Sequence, residues 1–100
     1  MATLYITEYK HLAPDLNGRA VLAGLEPAAA TQTVSIGGAS VQSAPFAADT
    51  KFVRVEADAV CSVLFAVNPT ATASSPRLAA NAAEYFGVAP GLRLAVITNT

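Results

Sequence analysis

From Lys51 to Val67 the sequence KFVRVEADAVCSVLFAV changes character with a period of two, twice in succession. Val53, Val55 and Ala57 fall on one side of the first segment, and Phe52, Arg54 and Glu56 on the other. In the second segment Cys61, Val63, Phe65 and Val67 share a side. Such a period belongs to extended chain, because successive side chains of a strand point to opposite faces. The half from Lys51 to Thr100 carries most of the residues able to build a core, so that core must be made of sheets.

If the two segments form a hairpin, loop length fixes the register. A two-residue loop at Asp58-Ala59 would set Arg54 opposite Val63. A three-residue loop, Asp58-Ala59-Val60, pairs Ala57 with Cys61, Val55 with Val63 and Val53 with Phe65, which keeps one face wholly apolar. The second register is the expected one, although three-residue loops favour a glycine that is missing here. It leaves Phe52, Arg54, Glu56 and Leu64 together on a half-apolar outer face. These four residues are the candidate subunit interface.

Elsewhere the same alternation recurs in short stretches. Thr3 to Glu8 reads as a strand with Leu4 and Ile6 on one face and Thr3, Tyr5 and Thr7 on the other. Turn signals at Pro14-Asp15 and Asn17-Gly18 predict a loop that closes a hairpin onto Arg19 to Ala23. Leu25 to Ala30 has room for one helical turn at most, since Pro27 interrupts it. Thr31 to Ile36 is β-branched and alternating, with Val34 and Ile36 inward, and ends at Gly37-Gly38. Ala39 to Ser43 starts a short return, and Pro45 to Thr50 connects to Lys51. Asn68 to Pro76 (NPTATASSP) is a polar loop. Arg77 to Ala80 extends briefly, and a strand begins near Ala83. Pro90-Gly91 has the form of a type II turn before a last strand over Leu92 to Thr98. No segment offers ten residues of helical period. The expectation is one all-β domain over residues 1–100, an antiparallel β-sandwich or jelly-roll-like barrel of six to eight short strands.

Composition narrows the function classes. Hydrophobic residues make up 53% of the chain, but much of that is alanine, and four Phe, three Tyr and no Trp leave few large side chains. A core this thin favours self-association. Charged residues are only 13%, six basic against seven acidic and dispersed, so no nucleic-acid face is implied. One cysteine excludes an intramolecular disulfide. The start MATLYITEYKHLAPD lacks the form of a secretory signal, and uncharged runs such as Pro27 to Ala48 are too polar for lipid. A soluble chain with no membrane partner is expected.

No constellation of catalytic residues stands out. His11 and Cys61 are far apart, too few for a metal site and not spaced as nucleophile and base. Asp15-Leu16-Asn17-Gly18 lacks the later ligands of a calcium loop. Cys61, alternating with Val63 and Phe65, reads as a buried thiol. Glu56 and Asp58 beside Arg54 read as a surface charge cluster. No catalytic residue, cofactor or metal is expected.

Several stretches in order carry a family resemblance: Thr50-Lys51-Phe52-Val53-Arg54-Val55, Ala59-Val60-Cys61-Ser62, Asn68-Pro69-Thr70-Ala71-Thr72, Glu84-Tyr85-Phe86-Gly87-Val88, Pro90-Gly91 and Ala95-Val96-Ile97. Together they resemble small virion structural proteins of tailed bacteriophages and prophages, of the capsid decoration or cement type. The likeness covers the second half of the chain well and the MATLYITEY start loosely. It implies a non-enzymatic homo-oligomer, a trimer by preference. This would be assembled in the host cytoplasm and bound through the major capsid protein to the capsid exterior. The alternative expectation is a glycan- or ligand-binding sandwich module of a phage fibre or tail, with Tyr5, Tyr9 and Tyr85 as its aromatic candidates.

Overall fold

In a computed structural model the chain is described over residues 2–14 and 16–99, with residues 20–22 described for their backbone only. The described residues form ten strands and no helix. They are β1 (Ala2–Tyr9), β2 (Leu12–Pro14), β3 (Ala20–Gly24), β4 (Ala30–Ile36), β5 (Val41–Gln42), β6 (Phe52–Ala57), β7 (Cys61–Ala66), β8 (Arg77–Leu78), β9 (Ala83–Gly87) and β10 (Arg93–Thr98). Two four-stranded sheets, in the orders β4-β1-β6-β9 and β5-β10-β7-β8, hold eight of them. The expected all-β antiparallel sandwich is the observed fold, with β2 and β3 added as a separate two-stranded hairpin.

The strand order is that of a jelly roll with a permuted chain. Lettered B to I, jelly-roll strands form sheets B-I-D-G and C-H-E-F. Here β4 to β10 supply B to H in sequence, and N-terminal β1 fills the I position between β4 and β6. The β2–β3 hairpin occupies the link from β1 to β4.

Alternation places the core between the sheets. Leu4 and Ile6 of β1, Val34 and Ile36 of β4, and Val53, Val55 and Ala57 of β6 are buried facing Cys61, Val63, Leu78, Leu94 and Val96 of the second sheet. Each large aliphatic buried in this way contributes about 1.5–3 kcal/mol. Phe65 of β7 and Phe86 of β9 meet at 4.9 Å between ring centroids and so join the two sheets, while Phe46 lies 6.2 Å from Phe65. The expected type II turn is present: Leu92 N–H donates to Ala89 O at 3.3 Å, and Gly91 has φ +83°.

The expected hairpin of Lys51–Ala57 with Cys61–Val67 is not formed. β6 pairs with β1 and β9, whereas β7 pairs with β10 and β8. Val53, Val55, Val63 and Phe65 do share the core, but they approach it from opposite sheets. Asp58 explains the divergence. Its backbone N–H donates to Thr3 O at 3.2 Å and its Oδ1 accepts from Thr3 N–H at 2.7 Å, which ties the end of β6 to β1. Residues 58–60 then cross to the other sheet. Val67, expected on the apolar face, lies beyond β7 and is 72% exposed. No helical turn forms over Leu25 to Ala30. The hairpin onto Arg19 to Ala23 does form, closed by the turn at Gly18 with φ +79°. Asp15, expected in that turn and weighed as a calcium ligand, lies outside the described residues.

Candidate functional site

The two outer faces of the sandwich differ. In the second sheet, Ser62 and Ala95 are out of phase with the core residues Val63, Leu94 and Val96, yet both are fully buried. Their cover is the polar loop after β7. Gln42 Nε2 donates to Asn68 Oδ1 and Pro69 O, each at 2.8 Å, and Ala71 N–H donates to Ser40 Oγ at 2.9 Å. Asn99 Nδ2 donates to Ser62 Oγ at 2.7 Å and to Ala73 O at 3.2 Å. The loop read as polar therefore seals this face and buries Pro69 and Ala71.

Among the described residues, nothing comparable lies over the middle of the first sheet. Its outer face carries Thr31 and Thr33 from β4, Tyr5 and Thr7 from β1, and Arg54 and Glu56 from β6. In the ladder Thr7 is paired with Thr31 and Arg54, and Tyr5 with Thr33 and Glu56. Tyr5 and Tyr85 are about half exposed. Arg54 Nη1 and Glu56 Oε1 lie 3.8 Å apart, a surface pair of little energetic weight.

Three of the four candidate interface residues, Phe52, Arg54 and Glu56, thus share this open face. Leu64 does not: it is paired with Ala95 in the second sheet, on the face that the loop covers. Its placement beside Phe52 depended on the hairpin that does not form. Asp58 is likewise occupied with Thr3 rather than with Arg54 and Glu56.

At one end of the open face the rings of Tyr9, Phe52 and Tyr85 run across β1, β6 and β9. Tyr9 stacks on Phe52 at 5.4 Å, and Phe52 meets Tyr85 at 6.1 Å. Beside them is a hollow of about 500 Å³ lined by Leu12, Phe52, Tyr85, Phe86 and Gly87. Tyr9 itself is buried. Gly24 of β3 lies so close that a Cβ there would overlap its ring. The Tyr9 hydroxyl donates to Glu26 Oε2 at 2.7 Å. That hydrogen bond, reinforced by burial, pushes the phenol up to about 12.

A second cleft, of about 340 Å³, opens where Lys10 Nζ meets Asp49 Oδ2 at 2.8 Å, with His11 on its rim. The lysine holds the Asp49 carboxyl below its ordinary range. Cys61 is buried, and burial pushes its thiol up. Among the described residues no three His, Cys, Asp or Glu side chains gather as a metal site requires, and no helix is long and apolar enough to cross a membrane.

Glu8 was not picked out by residue type, yet it is buried. Its Oε1 accepts from Ala47 N–H at 2.9 Å and Thr50 Oγ1 at 2.7 Å, and its Oε2 accepts from Gln32 Nε2 at 3.3 Å. The signal was the period of two, which puts Glu8 in phase with Leu4 and Ile6. Its carboxylate fastens a loop and is spent on structure.

Compared with models of protein families, with curated proteins and with solved structures, the chain matches none.

Proposed function

We infer that this protein is a non-enzymatic virion structural subunit of a tailed bacteriophage, a decoration or cement protein. It self-associates, as a trimer by preference, and binds the major capsid protein on the outside of the head. The observation that carries this reading is the asymmetry of the sandwich. One outer face is sealed by the chain's own loop, and the other presents Tyr5, Thr7, Thr33 and the Arg54–Glu56 pair to solvent. A cement subunit works by adding contact area across joints in a shell, and roughly 800 Å² per partner is a standard interface. A hydroxyl-rich sheet face whose charges are a mutually paired Arg54 and Glu56 suits that task.

The test is reconstitution. Purified chain is mixed with shells of the phage that encodes it, prepared without this protein, and co-sedimentation and heat resistance are measured. Saturable binding that raises the temperature of shell disruption is expected, with loss of binding in Thr33→Lys. Shells that ignore the protein would overturn the reading.

A glycan-binding module of a fibre or tail is the second reading. The exposed Tyr85 beside the Phe52 ring favours it, because paired aromatic rings form a stacking platform for sugars. Glycan-array binding abolished by Tyr85→Ala would decide for it.

A further inference from the structure

Among the described residues, nothing requires residue 87 to be glycine. Its φ is not left-handed, unlike those of Gly18 and Gly91, and a Cβ built on it meets no atom within 4 Å. Gly24 is the contrast, since the Tyr9 ring fills the space its Cβ would need. The open space at Gly87 is the hollow bounded by Leu12, Phe52 and Tyr85. A glycine in a strand often marks a place where another backbone or ligand comes close, and Gly87 stands at the end of β9.

The strand that carries it has a free edge. β9 is hydrogen-bonded to β6 alone among the strands. Val88 N–H donates to Lys51 O at 3.1 Å, so ladder alternation also turns the backbone groups of Glu84 and Phe86 toward β6. Those of Ala83, Tyr85 and Gly87 face away from it. An edge of this kind is a template for another strand. At the opposite edge of the same sheet, Gln32 of β4 is already engaged by its side chain with Ala44 N–H and Ala44 O.

The β2–β3 hairpin is the matching part. It is hydrogen-bonded to neither four-stranded sheet; its base rests on the Tyr9 ring through Gly24, while Leu16 at its tip is wholly exposed. A two-stranded hairpin is marginal in water unless something covers it. β3, AVLAG, has no charged residue to oppose Glu84. Two β9 edges set against each other would instead bring two Glu84 side chains onto one seam.

We propose that β3 in the hairpin of one copy pairs with the free edge of β9 in a second copy. The first sheet then grows to six strands, and the entering hairpin covers the hollow over Gly87. Each copy gives one hairpin and receives one from a different copy, a heterologous contact that makes a ring when the rotation between copies closes. The proposal rests on the self-association in the function argued above and assigns it a surface.

The experiment uses the full chain, with light scattering for mass and amide hydrogen exchange for the edge. Wild-type protein is expected to be oligomeric, with Tyr85 and Gly87 amides protected on the order of tenfold or more over a dissociated sample. Leu16→Glu and Gly87→Glu are each expected to give monomers with those amides exposed. Mixed in equal amounts they restore one good hairpin and one good edge, and a heterodimer forms. Leu16 is wholly exposed in the single chain, so its variant reports on assembly even if Gly87→Glu fails to fold. An oligomer whose Tyr85 and Gly87 amides exchange freely, or one that survives Leu16→Glu unchanged, would overturn this contact and leave the capsid function standing. A wild-type chain that is monomeric at every concentration would overturn the contact and the self-association together, while capsid binding is judged by its own co-sedimentation.

Discussion

Glu8 Oε1 accepts a 2.7 Å hydrogen bond from the hydroxyl of Thr50, and both residues are buried. This bond, with those from Ala47 N–H and Gln32 Nε2, fixes the loop before β6 onto β1. Glu8→Ala leaves a buried hydroxyl and a backbone N–H without an acceptor and should cost about 3 kcal/mol. Thr50→Ala should cost about 1 kcal/mol. Urea denaturation of both single variants and the double variant checks this. Strictly additive losses would show that the pair is not coupled.

Gly24→Ala places a methyl group where the Tyr9 ring sits. Displacing that ring should destabilise the fold by about 2 kcal/mol, a typical overpacking cost. A thermal melt indistinguishable from wild type would show that the hairpin base shifts freely away from Tyr9.

The Tyr9 phenol is raised to about 12 from an ordinary value of 10, first by its hydrogen bond to Glu26 and then by burial. A raised value means that the folded state holds this proton more tightly than the unfolded chain. The stability it contributes is therefore complete below pH 10 and lost as pH rises toward 12. Chemical denaturation across pH 9 to 12 should show a fall in stability that is reduced in Tyr9→Phe. Equal falls in both proteins would assign the effect elsewhere.

Phe65 is half-buried but packs on Phe86 of the facing sheet and lies beside Phe46 of the loop before β6. Phe65→Ala should cost about 3 kcal/mol, the low end for an aromatic truncation, because part of the ring is already in solvent. A loss under 1 kcal/mol, measured by urea unfolding, would mean that the two sheets do not depend on these ring contacts.

Cys61 lies within the core with its thiol pushed up by burial. Labelling by a thiol reagent at neutral pH should track global unfolding and accelerate in parallel with it in denaturant. Rapid labelling of the native protein would contradict its burial.

What the sequence made legible was facing, and what it hid was partnership. Val34 and Ile36, Val53 and Val55, and Leu94 and Val96 all point inward as their spacing demands, because a strand with one apolar side has one way to bury it. That rule does not say whether the covering strand lies beside it or across the core. Val55 and Val63 satisfy the pattern equally well in a hairpin and in stacked sheets, and the choice fell to the reciprocal bonds of Thr3 and Asp58. Leu64 went to the wrong group for that reason. The polarity of NPTATASSP pointed to solvent, yet Gln42, Ser40 and Asn99 draw this loop onto the second sheet. Glu8 follows the same logic: its partners Gln32, Ala47 and Thr50 are remote in sequence, so local pattern shows the position and not the reason a carboxylate survives there.

The place of β1 between β4 and β6 bears on how the molecule comes into being. As the chain is synthesised, β1 is made before either of its sheet neighbours and gains its second flank only after Ala57 has been made. The facing sheet is incomplete until β10 follows. The nascent chain therefore has little structure to accumulate stepwise, and the core must condense late, from contacts between distant segments, at the slow pace typical of such topologies. During that interval the Leu4–Ile6 strand is the segment most in need of shielding.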